Sequence, residues 1–211
     1  MCRLLFVESK TEFKIEDHLN IFAGICKNSK EFQGHGWGCS YLQNGNWEHY
    51  KNISPIWEDN LTQFPSSTHL IVHARSAFQD KDIRVENNMP FYDDENIFIF
   101  NGELHGVKIK AEGRIGAEKI FNFIKRFDNG DMNNALSKGV EIIIKRSDYV
   151  KAMNIIIANK DQVFVSSNFN EEEEYFTMSY KKDDDQLIIC SVPYSNENGW
   201  IKIENNFTGV F

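Results

Sequence analysis

The order of apolar and polar positions in the first quarter of the chain predicts a strand, a helix and a hairpin. Residues 1–7 form an apolar run that polar residues end, which is typical of a buried strand. Across residues 12–30, apolar side chains recur at intervals of three or four, which predicts an amphipathic helix. Strands at about 37–43 and 46–51 follow, and the Asn44-Gly45 pair between them favours a tight turn.

The middle of the chain predicts two more buried strands and two helices. Residues 69–75 and 97–100 are short apolar runs, and the second of them ends at Asn101-Gly102. Residues 116–127 and 132–147 show the three- and four-residue spacing of helices with one apolar face.

After Met153 the pattern changes to short apolar or alternating runs separated by charged turns. The predicted strands cover 154–158, 163–166, 174–180, 186–190 and 200–203. Strand, helix, many strands, two helices and many strands again is the order of a layered α+β fold, not of a doubly wound sheet. Because no linker or internal repeat interrupts the pattern, we predict a single domain spanning residues 1–211.

Length and charge exclude several classes of function. The chain has 211 residues, of which 41% are hydrophobic, so it can bury a core and is not disordered. Its net charge of −8 argues against binding nucleic acid or a membrane surface, because both require clustered lysine and arginine. The apolar runs are also shorter than the roughly 20 residues of a membrane-spanning helix. We therefore expect neither nucleic acid nor a membrane surface as a partner.

The cysteines favour a cytoplasmic protein with reduced thiols. Cys2, Cys26, Cys39 and Cys190 show no C-x-x-C spacing, and the histidines show no i, i+4 pairing on a helix, so we expect no metal. The first residues do not form a secretory signal. Three of the cysteines lie on predicted apolar faces and are expected to be inert. Cys2 is the exception.

Cys2 occupies a position that suits nucleophilic catalysis. Removal of Met1, which is usual before a small residue, would leave Cys2 with a free α-amine, and its pKa of about 7.7–8.0 suits a general base. Nucleophile and base would then belong to one residue. With Met1 retained, the nitrogen of Cys2 is a peptide nitrogen and no base. Taken alone, a cysteine here is more often a small apolar residue of a buried strand.

Three other residues offer groups that bind a substrate. Arg75 ends a predicted strand, where its guanidinium can hold a carboxylate through two parallel hydrogen bonds. Asn101 offers a side-chain NH₂ and Gly102 an unshielded backbone N–H, and together these can form an oxyanion hole. By itself, Asn101-Gly102 also fits an ordinary turn.

Five segments that occur in one order are more specific together than any of them alone. They are Met1-Cys2-Arg3-Leu4-Leu5, His35-Gly36-Trp37-Gly38, His73-Ala74-Arg75-Ser76-Ala77, Asn88-Met89-Pro90-Phe91 and Phe100-Asn101-Gly102-Glu103-Leu104. In this order they resemble the class II glutamine amidotransferases, which are N-terminal-nucleophile hydrolases, and in particular their short stand-alone subfamily. Two later segments, Tyr175-Phe176-Thr177-Met178 and Ser191-Val192-Pro193-Tyr194 with Trp200, are similar to the closing strands of that subfamily. The resemblance therefore extends over nearly the whole chain.

The resemblance implies a fold and a role for each of these residues. The fold would be a four-layer αββα sandwich of two mainly antiparallel sheets between helices. Cys2 would attack the side-chain amide of glutamine and form a γ-glutamyl thioester, while Asn101 and the Gly102 N–H hold the oxyanion. Arg75 would bind the α-carboxylate, with Ser76 beside it, and the Gly102 carbonyl would bind the α-amine. Glutamate and ammonia would be released without a cofactor, and the ammonia would pass to a separate synthase subunit.

The sequence departs from the pattern of the family at three places. Many relatives carry D-S-E or D-T-E, whose aspartate contacts the substrate ammonium, where this chain has Gly116-Ala117-Glu118. Met89 stands where relatives often have histidine, and Val192 where they often have glutamate. A charge-assisted contact contributes roughly 1.5–3 kcal/mol, so the missing carboxylate weakens glutamine binding or favours a substrate without a free α-amine. Glu118 or Glu103 are the candidates to replace it.

Three functions remain open at this stage. The first is a glutaminase that supplies ammonia to a synthase. The second is an amidohydrolase of the same fold that acts on γ-glutamyl conjugates, which the missing aspartate favours. The third is a non-catalytic relative that binds a ligand or partner, against which the joint presence of Cys2, Arg75 and Asn101-Gly102 argues.

Overall fold

The structure is a computed structural model, and it describes residues 1–195 and 197–211. Contacts along the chain divide it into two compact units. The first comprises Met1–Pro90 and Met178–Ile203, and the second comprises Phe91–Thr177 and Glu204–Phe211. The chain thus builds most of the first unit, then the second, and returns to each once. The single domain expected for residues 1–211 stays a prediction.

A strand and a helix come first, and several strands, two helices and further strands follow, in the order that the sequence predicts. In the described residues the strands are β1 (Arg3–Lys14), β2 (Trp37–Gln43), β3 (Asn46–Asn52), β4 (Ser66–Ala74), β5 (Phe91–Tyr92), β6 (Ile97–His105), β7 (Tyr149–Ala158), β8 (Val163–Phe169), β9 (Ser179–Lys182), β10 (Gln186–Cys190), β11 (Ile201–Lys202) and β12 (Phe207–Val210). The α-helices are α1 (Ile15–Lys27), α2 (Gly116–Lys125), α3 (Met132–Lys145) and α4 (Glu173–Phe176). No helix within residues 1–195 and 197–211 is long and apolar enough to cross a membrane.

The first unit is one antiparallel sheet with a helix packed on it. Among the described residues its seven strands follow the order β11-β9-β10-β1-β4-β2-β3. β1 lies between β4 and β10, and its pairing Arg3↔Ala74 sets the start of β1 beside the end of β4. α1 buries one side against this sheet, since its apolar residues recur at helical spacing. The buried positions are Ile15, Leu19, Phe22, Ala23 and Cys26.

The second unit repeats this design with a smaller sheet. In the part of the chain that is described, its five antiparallel strands follow the order β12-β8-β7-β6-β5. Phe98 of β6 stacks on Phe121 of α2, with 4.9 Å between ring centroids. α2 packs closely on α3, because a Cβ at Gly139 would lie only 2.7 Å from the Ile124 side chain. Two antiparallel sheets with their helices confirm the predicted α+β class.

Several boundaries differ from the sequence-based prediction, and β5 and β12 lie outside every predicted strand. Two of the differences have a clear physical reason. The helix expected over 12–30 begins only at Ile15, because Phe13 and Lys14 continue β1 and pair with Ser67 and Ser66 of β4. The strand expected over 174–180 is wrong in its first half. There the amides of Tyr175 and Phe176 bond back to the carbonyl of Glu172, which forms the short helix α4, and β9 starts at Ser179.

Candidate functional site

The predicted site residues fall into two groups, one in each unit. Cys2, Arg75 and Ser76 belong to the first unit, and Asn101 and Gly102 to the second. Pairing between β1 and β4 brings the first group together, because Cys2 directly precedes β1 while Arg75 and Ser76 directly follow β4.

The Cys2 thiol is partly buried and lies against the segment that follows β4. Its Sγ donates a hydrogen bond to the Ser76 carbonyl oxygen over 3.7 Å. Burial raises the pKa of this thiol, and the positive charges of the amino terminus, Arg75 and Arg3 offset part of that rise. The thiol is therefore mostly protonated near neutral pH, so a nucleophilic role requires a base that removes its proton.

The loop between α1 and β2 encloses the amino terminus. The fully buried Gln33 donates from Nε2 to the Met1 carbonyl at 2.6 Å, and the Glu31 carboxylate lies 3.7 Å from the Met1 amine. Arg3 Nε donates to Ser29 Oγ at 3.1 Å. These contacts hold the first three residues of the chain, including Cys2, against the loop between α1 and β2. The sequence offered no signal for Gln33, since its contacts depend on how the loop folds back.

The backbone around Arg75 continues the pairing of β2 with β4. The Arg75 N–H donates to the Gly36 carbonyl at 2.9 Å, and the His35 N–H donates to the Arg75 carbonyl at 3.1 Å. The Ala77 N–H in turn donates to Nδ1 of His35 at 2.8 Å. The His35-Gly36 segment therefore positions the backbone from which the Arg75 side chain projects.

The Arg75 guanidinium is buried and has no neutralising carboxylate among the described residues. The residue is 6% exposed, and its described hydrogen bonds are long, 3.5 Å to Asn88 Oδ1 and 3.5 Å to the Lys81 carbonyl. It forms no ion pair with a carboxylate of the described residues. Burial lowers the pKa of this guanidinium, and negative charge at Cys2 or Asp82 counteracts the shift. A buried cation in this state favours binding of an anion.

Asn88 holds its place beside Arg75 through a close contact with the Gly36 turn. Asn88 is fully buried and donates from Nδ2 to the Asn52 carbonyl at 2.8 Å. Gly36 has a φ of +100°, and a Cβ there would lie 2.1 Å from Asn88 Nδ2 and 2.7 Å from the Asn52 oxygen. Only glycine satisfies both conditions, the positive φ and the close contact with Asn88 and Asn52.

The Asp59 carboxylate joins β2 and β3 next to the Gly36 turn through side-chain hydrogen bonds. Its Oδ2 accepts hydrogen bonds from Asn52 Nδ2 at 2.7 Å, Trp37 Nε1 at 2.9 Å and Tyr50 OH at 2.9 Å. Burial alone would raise the pKa of this carboxyl, but the hydrogen bonds prevail and lower it. The sequence carries no signal for Asp59, because Trp37 of β2 and Tyr50 and Asn52 of β3 come together only when these two strands pair.

In the second unit, Asn101 and Gly102 lie within β6 and not in a turn. Asn101 is 1% exposed, and its Oδ1 has no hydrogen-bond partner among the described protein atoms. Gly102 pairs with Met153, and a Cβ at this position would lie 2.3 Å from the Ala152 carbonyl oxygen. The absence of a side chain at Gly102 is therefore required by the neighbouring strand. The catalytic roles of both residues remain predictions.

The two carboxylates considered as replacements for the missing aspartate are already engaged. The Glu118 carboxylate accepts hydrogen bonds from the Arg114 guanidinium at 2.6–3.2 Å and from the Arg114 N–H at 2.6 Å. The Glu103 carboxylate lies 2.7 Å from His105 and 3.9 Å from Lys151. Neither is free to bind a substrate ammonium without losing these contacts. Gly116 begins α2, and a Cβ there would meet no atom within 4 Å.

The other three cysteines are buried, and the described residues contain no cluster of metal-ligating side chains. Cys26, Cys39 and Cys190 are buried, and burial raises the pKa of each thiol, to about 12 for Cys190. In the described residues, no three or more histidine, cysteine, aspartate or glutamate side chains are grouped so that they could hold a metal ion.

Comparison with known proteins gives a fold but no sequence family. No family model matches the chain, and no curated protein matches its sequence. Solved structures do match. A glutamine aminotransferase class-II domain protein from Silicibacter pomeroyi is 13% identical, and the match covers 97% of this chain and 92% of that protein, with a TM-score of 0.66. A predicted glutamine amidotransferase from Pseudomonas aeruginosa is 13% identical over 100% of this chain and 97% of its own, with a TM-score of 0.62.

A larger enzyme contains the same fold as one part of its chain. The glutamine phosphoribosylpyrophosphate amidotransferase of B. subtilis is 14% identical over 90% of this chain, with a TM-score of 0.65. This chain spans 42% of its length. The likeness shows that the chain has the α+β fold of these three glutamine amidotransferase structures.

Proposed function

We propose that this protein hydrolyses the side-chain amide of glutamine to glutamate and ammonia, with Cys2 as the nucleophile. The observation that supports this most is the buried Arg75 guanidinium next to the segment that holds the Cys2 thiol. A buried cation without a carboxylate partner among the described residues suits the α-carboxylate of an amino acid, which two parallel hydrogen bonds would orient. A thiol near that anchor suits attack on the other end of the substrate.

The first half of the proposed reaction forms a thioester. After removal of Met1, the free α-amine of Cys2 takes the thiol proton while Sγ bonds to the amide carbon of the substrate. The Asn101 Nδ2 and the Gly102 N–H stabilise the negative oxygen of the tetrahedral intermediate. The C–N bond then breaks, and the Cys2 ammonium returns its proton to the leaving nitrogen, which departs as ammonia.

The second half releases glutamate. The Cys2 amine takes a proton from water as the water oxygen attacks the thioester carbon, and the same oxyanion donors act again. The C–S bond breaks, the proton returns to sulfur, and glutamate leaves. We propose that Ser76 lines the carboxylate-binding end beside Arg75, that the Gly102 carbonyl binds the α-amine, and that a separate synthase subunit in the cytoplasm receives the ammonia.

A γ-glutamyl conjugate is the second candidate substrate. It is favoured by the environment of the missing carboxylate, because Gly116 carries no side chain and Glu118 is bound to Arg114. A γ-glutamyl conjugate whose α-amine is acylated, and is therefore no ammonium, loses nothing from that absence. Initial rates on glutamine, on γ-glutamyl amides with a free α-amine and on their N-acylated forms separate the two, since turnover of the N-acylated conjugates alone would support this second candidate.

The decisive experiment is an intact mass before and after exposure to 6-diazo-5-oxo-L-norleucine, a glutamine-shaped electrophile. The expected result is loss of Met1 and a single adduct on Cys2. Cys26→Ala should still take up one adduct, because Cys26 is buried, and Cys2→Ala should take up none and release no ammonia from glutamine. An adduct on Cys2→Ala, or unchanged ammonia release, would contradict the proposal. A folded wild-type protein without adduct or turnover would point to a non-catalytic relative.

A further inference from the structure

A row of three polar side chains crosses the second sheet at the level of Asn101. In the strand register, Asn101 of β6 lies opposite Asn154 of β7, and Asn154 lies opposite Ser167 of β8. Directly opposed residues project from the same face, with Cβ atoms about 4.5–5.5 Å apart. The three side chains are therefore consecutive neighbours across three strands.

This row lies on the face of the sheet that is turned away from α2. Phe98 faces α2, where it stacks on Phe121. Because successive residues of a strand alternate between faces, Asn101, three positions after Phe98, projects from the other face. The next opposed set on that face is apolar and fully buried, and it consists of Ile99, Ile156 and Val165. The polar row is thus bordered by hydrocarbon.

Each residue of the row carries a buried oxygen without a partner. Asn101 and Asn154 are each 1% exposed and Ser167 is 0% exposed. The Oδ1 atoms of both asparagines and the Oγ of Ser167 have no hydrogen-bond partner among the described protein atoms. Buried polar groups in native proteins are nearly always hydrogen-bonded, to protein or to an ordered water molecule. Because these three oxygens lie on adjacent strands, one bound molecule could serve all of them.

The adjacent residue on β8 shows what a satisfied hydroxyl looks like in this sheet. Ser166 is also fully buried but projects from the opposite face. Its Oγ lies 2.9 Å from Thr208 Oγ1 and accepts a hydrogen bond from Asn168 Nδ2 at 3.0 Å. Ser166 and Ser167 thus form a matched pair, one hydroxyl bonded within the protein and one not.

The orientation of Asn154 is fixed independently. Its Nδ2 donates to the carbonyl oxygen of Phe176 at 2.6 Å. With the amide nitrogen held in this way, the Oδ1 of Asn154 is left as an acceptor in the middle of the row. The row therefore offers two carbonyl acceptors, and one hydroxyl that can donate or accept.

We propose that Asn101, Asn154 and Ser167 form a binding site for one small neutral hydrogen-bond donor, a water or an ammonia molecule. Both have at least two N–H or O–H groups for the two Oδ1 atoms and a lone pair for the Ser167 hydroxyl. A molecule above Asn154 is within reach of both outer residues, given the spacing of opposed side chains. The row contains no carboxylate, so a neutral ligand fits it better than an ammonium ion.

The site would act on catalysis through Asn101, and this part rests on the proposed function. A molecule that donates a hydrogen bond to Oδ1 of Asn101 keeps this oxygen turned toward the row. The carboxamide then does not flip, and its Nδ2 stays free to donate a hydrogen bond to the oxyanion. Asn154 and Ser167 are in this sense positioning residues for Asn101, and they do not touch the reacting atoms.

Thermal unfolding of Ser167→Ala tests the site without reference to activity. If the hydroxyl binds a small molecule, this variant should unfold about 2–4 °C below the wild type, the shift expected for one lost hydrogen bond in a domain of this size. If the hydroxyl has no ligand, removing it relieves an unsatisfied group, and Tm should stay equal or rise, which would overturn the site. Ser166→Ala, which loses a hydrogen bond within the protein, shows that the assay detects such a loss.

The two ligands are separated by the same measurement in different salts. At about pH 9.5 ammonium chloride supplies free ammonia, and an equal concentration of sodium chloride does not. A higher Tm of the wild type in the ammonium salt, absent in Ser167→Ala, identifies ammonia as the ligand, because a ligand stabilises the state that binds it. No difference between the salts, together with the lower Tm of Ser167→Ala, identifies water.

Kinetics test the positioning role. Ser167→Ala and Asn154→Ala should lower kcat for glutamine on the order of tenfold with KM nearly unchanged, less than the 10²–10³-fold loss typical when an oxyanion donor is removed. Ser166→Ala should keep the wild-type kcat. An unchanged kcat in Ser167→Ala would overturn the positioning role. A wild-type protein without any activity would contradict the proposed function instead, and the unfolding measurements would still decide on the site.

Discussion

The Cys2 thiol donates a hydrogen bond to the backbone carbonyl of Ser76 over 3.7 Å, across 74 positions of sequence. The contact follows from the antiparallel pairing of β1 with β4, which sets the first residues of the chain beside the residues that leave β4. It also places the thiol where the positive charge of Arg75 offsets part of the rise in pKa that burial causes. A nucleophile candidate and a carboxylate-binding candidate thus share one end of one strand pair.

Replacement of Arg75 tests whether it binds the α-carboxylate. Arg75→Met should lower kcat/KM for glutamine by about 10–100-fold, the equivalent of roughly 1.5–3 kcal/mol for a hydrogen bond to a charged group. Turnover of 4-aminobutanamide, which lacks the α-carboxylate, should change little. Arg84→Met, at an exposed arginine of the same loop, should behave as wild type. An equal loss on both substrates would show that Arg75 supports the structure and does not bind the substrate.

The reactivity of Cys2 should depend on pH in a defined direction. Because burial raises the pKa of the thiol, iodoacetamide should alkylate Cys2 with a midpoint above the pKa of about 8.5 of a free cysteine. Arg75→Met should move that midpoint further upward, since it removes a positive charge that favours the thiolate. The measurement is the alkylation rate against pH by intact mass, followed separately for molecules that carry Met1. A midpoint that Arg75→Met lowers would contradict this electrostatic account.

Much of the fold could be predicted from the spacing of apolar residues, whereas the surroundings of the site could not. The hairpin around Asn44-Gly45 and α3 follow from local patterns, and both lie close to the predicted ranges. The extension of β1 to Lys14 depends on pairing with β4, more than 50 positions away, which outweighs the helical spacing of that segment. The support of Arg75 by Asn88 likewise arises only after distant strands pair.

Asp59 should stabilise the fold in a pH-dependent manner. Its pKa in the folded state is lowered, so its contribution is fully present above the unfolded pKa of about 3.9 and is lost as the pH falls through the folded pKa. Asp59→Asn replaces a charged acceptor and should cost about 1–3 kcal/mol at pH 7. The difference in unfolding free energy between the two proteins should narrow below about pH 4.

The control for that measurement is Asp94→Asn, at an exposed aspartate of the second unit. It should change the unfolding free energy by less than about 0.5 kcal/mol at any pH tested. A cost of Asp59→Asn that stays constant from pH 7 to pH 3 would mean that the hydrogen bonds to Asp59 do not depend on its charge.

Two glycine substitutions should have opposite effects on stability. Gly36→Ala places a Cβ against Asn88 and the Asn52 carbonyl at a positive φ. The backbone strain alone should destabilise the protein by about 1–3 kcal/mol, and the close contact should add to this cost. Because Asn88 lies beside Arg75, the variant should also bind glutamine more weakly. Gly24→Ala, within α1 and without a neighbour within 4 Å, should stabilise it by about 0.5–1 kcal/mol. Both values come from urea unfolding of the variants. A neutral Gly36→Ala would mean that the Gly36 turn does not constrain Asn88.

The class II glutamine amidotransferases that the sequence resembles often carry an aspartate where this chain has Gly116. Introducing that carboxylate at the start of α2 should reveal the substrate. Gly116 has open space around its missing Cβ, and an aspartate in the first turn of a helix is favourable, so Gly116→Asp should fold without loss of stability. If free glutamine is the substrate, this variant should raise kcat/KM by about 10-fold or more, because a charge-assisted contact to the ammonium contributes roughly 1.5–3 kcal/mol. Gly116→Asn, matched in size but uncharged, should show little of this gain. If the protein instead acts on conjugates without a free α-amine, Gly116→Asp should leave the turnover of these conjugates unchanged or lower it. A gain in kcat/KM confined to such conjugates would contradict both explanations of the missing aspartate, weaker glutamine binding and a substrate without a free α-amine.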